Sequence, residues 1–121
     1  MYSIIAYDNP TDSIGKVIFN GSATNGNVAL NESFSNFKYI DVIIAFTSAT
    51  GRTNTVRVFN TATSVDFQNA FNLYDNNMNV YYRQYTVTGT TITVGQSYMW
   101  ASSGFVGAYY GHYILKVIGY K

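Results

Sequence analysis

Few side chains in this chain could do chemistry, and most reactions lack a partner among them. His112 is the only histidine, so a Ser-His-Asp triad would need it as the base. No nucleophile elbow or other local motif positions a serine beside it. A lone histidine in a strand reads as a structural residue or as a ligand contact. The six acids are Asp8, Asp12, Glu32, Asp41, Asp66 and Asp75. Glycoside hydrolysis needs two carboxyls about 5–9.5 Å apart. Asp8, Asp12 and Asp75 lie in turn sequences, where Asp bonds its own backbone, which leaves Asp41 and Asp66 as the pair to test. Zinc requires three or four Cys, His or acid ligands, and the chain has no cysteine. Turn oxygens at Asp8-Asn9 with Asp12, or at Asp75-Asn76-Asn77, could meet calcium, but neither fits an EF-hand loop. The expectation is no catalytic residue, no metal and no cofactor.

The aromatics offer more. Tyr98, Met99, Trp100 and Phe105 fall within Gly95–Gly107 (GQSYMWASSGFVG), followed by Tyr109, Tyr110 and Tyr113. Three Gly and three Ser make this stretch read as a long loop, and long loops in compact domains are usually functional or mobile. A Trp or Tyr face can pack on the apolar face of a pyranose while Asn, Asp, Ser or Arg bond its hydroxyls. The candidate saccharide residues are therefore Trp100, Tyr98, Tyr109, Tyr110 and His112, with Trp100 foremost. Arg52, in the turn before Thr55, is a further candidate for an anionic group such as a wall phosphodiester. The same aromatics could instead cover a sheet or a subunit interface.

Composition narrows the partners. Charged residues make up 11% of the chain and aromatics 17%, twelve of them Tyr. Such a surface, poor in Lys and Glu and rich in Asn, Thr and Tyr, suits a β-rich extracellular or virion protein. A formal net charge of +1 gives no electrostatic reason to expect nucleic acid or an anionic membrane. No apolar run approaches the roughly 20 residues that span a bilayer as a helix, so no membrane insertion is expected. Met1–Asp8 has neither the basic region nor the apolar run of a signal peptide. Release by lysis rather than by secretion is the expected route out of a cell.

The elements that must position these residues read as strands throughout. A chain of 121 residues is expected to form one domain, 1–121, with 1–14 as a possible N-terminal strand and linker. Helical spacing with a cap and a stop is absent, while β-branched and aromatic residues dominate. Phe37–Ser48 is the expected central strand. Its even positions Ile40, Val42, Ile44 and Phe46 make one apolar face, and its other face is mostly apolar, as in a strand covered on both sides. Further strands are expected at Tyr2–Tyr7, Lys16–Asn20, Val28–Leu30, Thr55–Asn60, near 64–68, at Met78–Val87, Thr91–Val94 and Tyr109–Tyr120. Phe37–Ser48 with Thr55–Asn60, and Met78–Val87 with Thr91–Val94, read as hairpins. If Asp41 is buried it must be paired, with Arg57 or Lys116 as partner. Short strands with regular turn signals predict an all-β antiparallel sandwich or jelly-roll-like domain, with the 37–47 and 109–120 strands central.

Two patterns carry a family resemblance. Leu30, Ser33, Asn36, Phe37, Tyr39 and Ile40 form one, and the ending Ile114-Leu115-Lys116-Val117-Ile118-Gly119-Tyr120-Lys121 forms the other. Together they resemble the C-terminal, receptor-binding or tail-tip domains of tail proteins from bacteriophages, mostly of Gram-positive bacteria. The resemblance spans roughly residues 15 to 121. It implies a homotrimer in a phage tail or on a virion surface, among other virion proteins, extracellular after host lysis. It implies a non-enzymatic adhesion module for host cell-wall polysaccharide. Two other readings stay open: a purely structural virion part such as a capsid decoration or baseplate component, and a glycan-degrading enzyme.

Overall fold

The computed structural model describes residues 14–23, 27–46, 52–73, 79–101, 104–107 and 112–121. Among these residues nine strands run in chain order: β1 (Lys16–Ala23), β2 (Val28–Ala29), β3 (Tyr39–Phe46), β4 (Thr53–Phe59), β5 (Ser64–Leu73), β6 (Asn79–Thr88), β7 (Thr91–Ala101), β8 (Gly104–Gly107) and β9 (His112–Tyr120). They form two antiparallel sheets packed face to face. The first has the order β1-β9-β3-β4, and the second β2-β7-β6-β5 with β8 on the far part of β7. The all-β sandwich expected from the sequence is what forms. β3 and β9 are the two interior strands of the first sheet, and they are neighbours. The expected Tyr2–Tyr7 strand lies outside the described residues.

β3 holds the core because its inward row contains no polar atom. Ile40, Val42, Ile44 and Phe46 are all buried, and Ile18, Ile114 and Val117 from β1 and β9 complete that layer. Burying each such side chain is worth about 1.5–3 kcal/mol. From the second sheet, Phe71, Tyr81, Tyr85, Val87 and Ile92 pack against it. Phe46 meets the rings of Phe71 at 5.2 Å and Tyr81 at 4.8 Å, which aligns the far end of β3 with the start of β6. At the opposite pole Phe34 N donates to Gly89 O and Leu30 N to Thr90 O, tying the 30–37 segment to the β6–β7 turn. Gly89 adopts φ 56° there, a conformation few L side chains tolerate.

The outward row of β3 carries Asp41, opposite Arg57 in β4. Arg57 Nε donates to Asp41 Oδ1 at 2.8 Å and its second nitrogen to Oδ2 at 2.9 Å. The guanidinium also lies 4.0 Å over the Tyr39 ring. Hydrogen bonding to Asp41 holds Arg57 protonated well above its ordinary range. Of the two expected partners for this buried acid, Arg57 is the one that makes the fork.

The second sheet departs from expectation at β5 and β7. Ser64–Leu73 runs twice as long as the strand expected near 64–68. β7 does not stop at Val94 but continues to Ala101, so the expected loop Gly95–Gly107 is largely strand. Gly95 caused the misreading. Pairing shifts register between Arg83 and Tyr85, which places a bulge at Gly95. A Cβ there would stand 3.0 Å from the Gln84 carbonyl oxygen. Gly inside a strand marks such a bulge or close approach, and Ser97 is small because it is fully buried. The turn-like composition is that of a bent interior strand.

Candidate functional site

Alternation along β5, β6 and β7 sorts the second sheet into two unlike faces. Val65, Phe67, Asn69 and Phe71, with Tyr81, Arg83, Tyr85 and Val87, point inward. Outward stand Ser64, Asp66, Gln68 and Ala70 of β5, Val80, Tyr82, Gln84, Thr86 and Thr88 of β6, and Thr93, Tyr98 and Trp100 of β7. The in-register pairs Asp66–Thr86, Gln68–Gln84 and Ala70–Tyr82 make rows across β5 and β6. Thr86–Thr93, Tyr82–Tyr98 and Val80–Trp100 extend them onto β7.

These rows change character along the strands. Tyr82 and Tyr98 stack with ring centroids 5.6 Å apart and planes 23° from parallel. Trp100, two positions on along the same face, is 47% exposed, and by register it lies between Val80 of β6 and Phe105 of β8. Towards the other pole the face turns polar. Gln84 Nε2 donates to the Tyr82 hydroxyl at 2.9 Å, and Thr86 Oγ1 donates to Asp66 Oδ1 at 2.7 Å. Asp66, Phe67, Gln68, Gln84, Tyr85 and Thr86 line a recess of about 370 Å³. Asp66 is the one formal charge on the described outer face of this sheet.

The sequence candidates do not converge on one spot. Trp100 and Tyr98 belong to the outer face just described. His112 lies in the core of the first sheet, 1% exposed, with its ring 5.3 Å from Phe71 and 5.9 Å from Phe46. Burial, aided by the Arg83 charge, pushes its pKa down to about 4. A neutral ring at that depth is a core residue and does not reach a surface ligand. Arg52 is exposed, next to β4 in the first sheet, where its carbonyl accepts from Phe46 N at 3.1 Å. It is not part of the Trp100 face. Tyr109 and Tyr110 lie outside the described residues.

Tyr82 and Gln84 were not singled out by sequence reasoning, and Asp66 only as a possible partner of Asp41, although the alternation of 78–87 already set Tyr82 on the face opposite Tyr81 and Tyr85. The missing link was β7. With 95–107 read as a loop, Tyr98-x-Trp100 could not be recognised as two successive outward positions beside Tyr82.

The same faces bear on the other chemistries. Asp41 lies on the outward row of the first sheet and Asp66 on that of the second. Packed sheets are themselves about 10 Å apart, so these two carboxyls cannot flank one glycosidic bond. Glu32 is held by Lys16 Nζ at 2.6 Å and Lys121 Nζ at 3.5 Å, and accepts from Asn36 Nδ2 at 3.1 Å. Those bonds lower its pKa to about 2. Among the described residues no three His, Cys, Asp or Glu side chains gather as a metal site, and no helix is long and apolar enough to cross a membrane. No protein-family model matches the chain, and no curated protein matches it in sequence.

Proposed function

We propose that this protein is a non-enzymatic saccharide-binding module whose platform is the outer face of the second sheet. The observation that carries this reading is the stacked Tyr82–Tyr98 pair beside half-exposed Trp100. Strand register, rather than loop conformation, holds these aromatics. Rigid rings supply contact area at low entropic cost, and the flanking amide, hydroxyl and carboxylate groups suit sugar hydroxyls. The resemblance of the 30–40 and 114–121 patterns to phage tail-tip domains supports a virion setting and host cell-wall polysaccharide as the ligand.

Trp100→Ala tests the reading. Binding to purified Gram-positive cell-wall polysaccharide, followed by pull-down and titration, should fall at least tenfold while the circular dichroism spectrum and melting temperature stay as in wild type. Trp100 is a surface residue, so its truncation costs little of the core. Wild-type binding by Trp100→Ala would overturn the site. Unfolding of the variant would make Trp100 a packing residue.

A homotrimer belongs to the same proposal. Its supports are the resemblance and the exposed apolar side chains Val17 (46%) and Phe59 (56%) of β1 and β4. These side chains stand on the two edge strands of the first sheet, where neighbouring copies would cover them, and trimer valency would raise avidity for a repetitive wall polymer. Light scattering at micromolar concentration should give three times the 13.5 kDa chain mass, and Phe59→Lys should shift it to the monomer. A wild-type monomer would remove the trimer while leaving the platform intact.

A further inference from the structure

We propose that the recess at Asp66, Gln68, Gln84 and Thr86 is a second subsite, and that the face binds the interior of an uncharged linear polysaccharide lying along β6. This rests on the saccharide reading above and adds the ligand class, the binding direction and the residues that set specificity.

Geometry makes the argument. Between the Val80–Trp100 row and the Asp66–Thr86 row β6 advances six residues, about 20 Å at strand rise. That distance exceeds one sugar ring and accommodates several in line. The two ends of the track differ in chemistry. One offers aromatic planes, which hold a pyranose by its apolar face. The other offers a recess of about 370 Å³ edged by a carboxylate, two amides and a hydroxyl, which select hydroxyl positions.

The two ends are also physically connected. Gln84 bridges them, since its side chain donates to the Tyr82 hydroxyl while its neighbour Tyr85 lines the recess. Thr86 holds Asp66 Oδ1, which orients the carboxylate and leaves Oδ2 for a ligand. On a described face whose one formal charge is negative, a uronic acid or phosphodiester in the recess would meet Asp66 with no cation beside it, whereas hydroxyls donate to it. A polymer crossing the whole sheet surface needs no chain end, so recognition should be of internal repeats.

The test uses the intact chain and neutral β-linked gluco- and N-acetylglucosamine oligosaccharides from dimer to hexamer, with a matched uronic-acid series. Affinity for the neutral series should climb about tenfold between dimer and tetramer and then level. Asp66→Ala and Gln84→Ala should each abolish that gain, leaving tetramer bound no better than dimer. Asp66→Asn should narrow the preference for neutral over uronic ligands. Trp100→Ala is the separate arm, and should weaken every length alike. If Trp100→Ala weakens binding but length and the Asp66 and Gln84 variants do not matter, the second subsite is overturned and the platform stands. If wild type binds no member of either series, both are overturned.

Discussion

Gly119→Ala is expected to lower stability by about 1–3 kcal/mol or more, a large effect for one added methyl. A Cβ at Gly119 would stand 2.6 Å from carbons of the Phe37 ring, far inside contact distance. Phe37 is 3% exposed and cannot easily yield. Its N donates to Phe34 O at 3.1 Å, the next residue donates from Lys38 N to Tyr120 O at 2.8 Å, and Asn60 Nδ2 donates to the Phe37 carbonyl at 3.0 Å. Phe37→Ala should cost about 3–5 kcal/mol by the opposite route, a cavity over β9. Because the two residues touch, their effects should not add. Phe37→Leu in the Gly119→Ala background should recover part of the loss. Urea unfolding midpoints measure all of this, and a Gly119→Ala midpoint equal to wild type would show that the close approach is not there.

Acid should destabilise the protein in a window set by His112. In the unfolded chain the imidazole takes its proton near 6.5, whereas in the fold burial delays it to about 4. Between those values the unfolded chain binds more protons, so stability is full above pH 6.5, falls as pH drops through the window, and stops falling below about 4. The total loss from this one group is on the order of 3 kcal/mol. Among the described residues neither ring nitrogen makes a hydrogen bond of good geometry, and the Tyr81 backbone only slightly favours the charged ring, so the neutral ring gains little from hydrogen bonding. His112→Phe, filling the space between Phe46 and Phe71 with another ring, should therefore match or exceed wild-type stability at pH 7 and flatten the curve between pH 6.5 and 4.5. Below that, the lowered Glu32 carboxyl still titrates in both proteins. A wild-type slope retained by His112→Phe would mean that other groups drive the acid response.

The sequence was legible where a pattern had one physical cause. Ile40, Val42, Ile44 and Phe46 could only be an inward row, and the hairpin to β4 followed from it, while Arg57 and Lys116 both stayed open as partners of Asp41 until the register chose Arg57. The 30–40 pattern has a structural basis that its motif does not announce. Leu30, Phe34 and Phe37 enter the core, and Ser33 caps the 3-10 turn Phe34–Asn36 through its hydroxyl. Asn36 bonds Glu32, and Phe37 covers Gly119 from the other pattern. The two stretches that carry the resemblance are thus each other's packing partners, and they sit away from the aromatic platform. Beyond Val94 β7 was illegible because Gly95 and Ser97 serve a bulge and a tight interior, and both needs draw on the residues that also make loops. His112 could not be placed because one inward position in a strand looks like any other until its sheet partner is known.

Glu32 binds both Lys16 and Lys121, so the two limits of the sandwich leave from one pole, on the first sheet. Trp100 stands at the other pole, on the second. A carrier fused at either limit, or a bead coupled through Lys121, would present the aromatic face outward without crossing it. With residues 1–13 removed, joining Lys121 to Ile14 through a short flexible linker would close the sandwich into a ring at the Glu32 pole. New ends could then be opened at the exposed Asn60–Ala62 turn between β4 and β5, leaving every strand pairing in place. Attachment and aromatic face thus occupy opposite poles of one small domain.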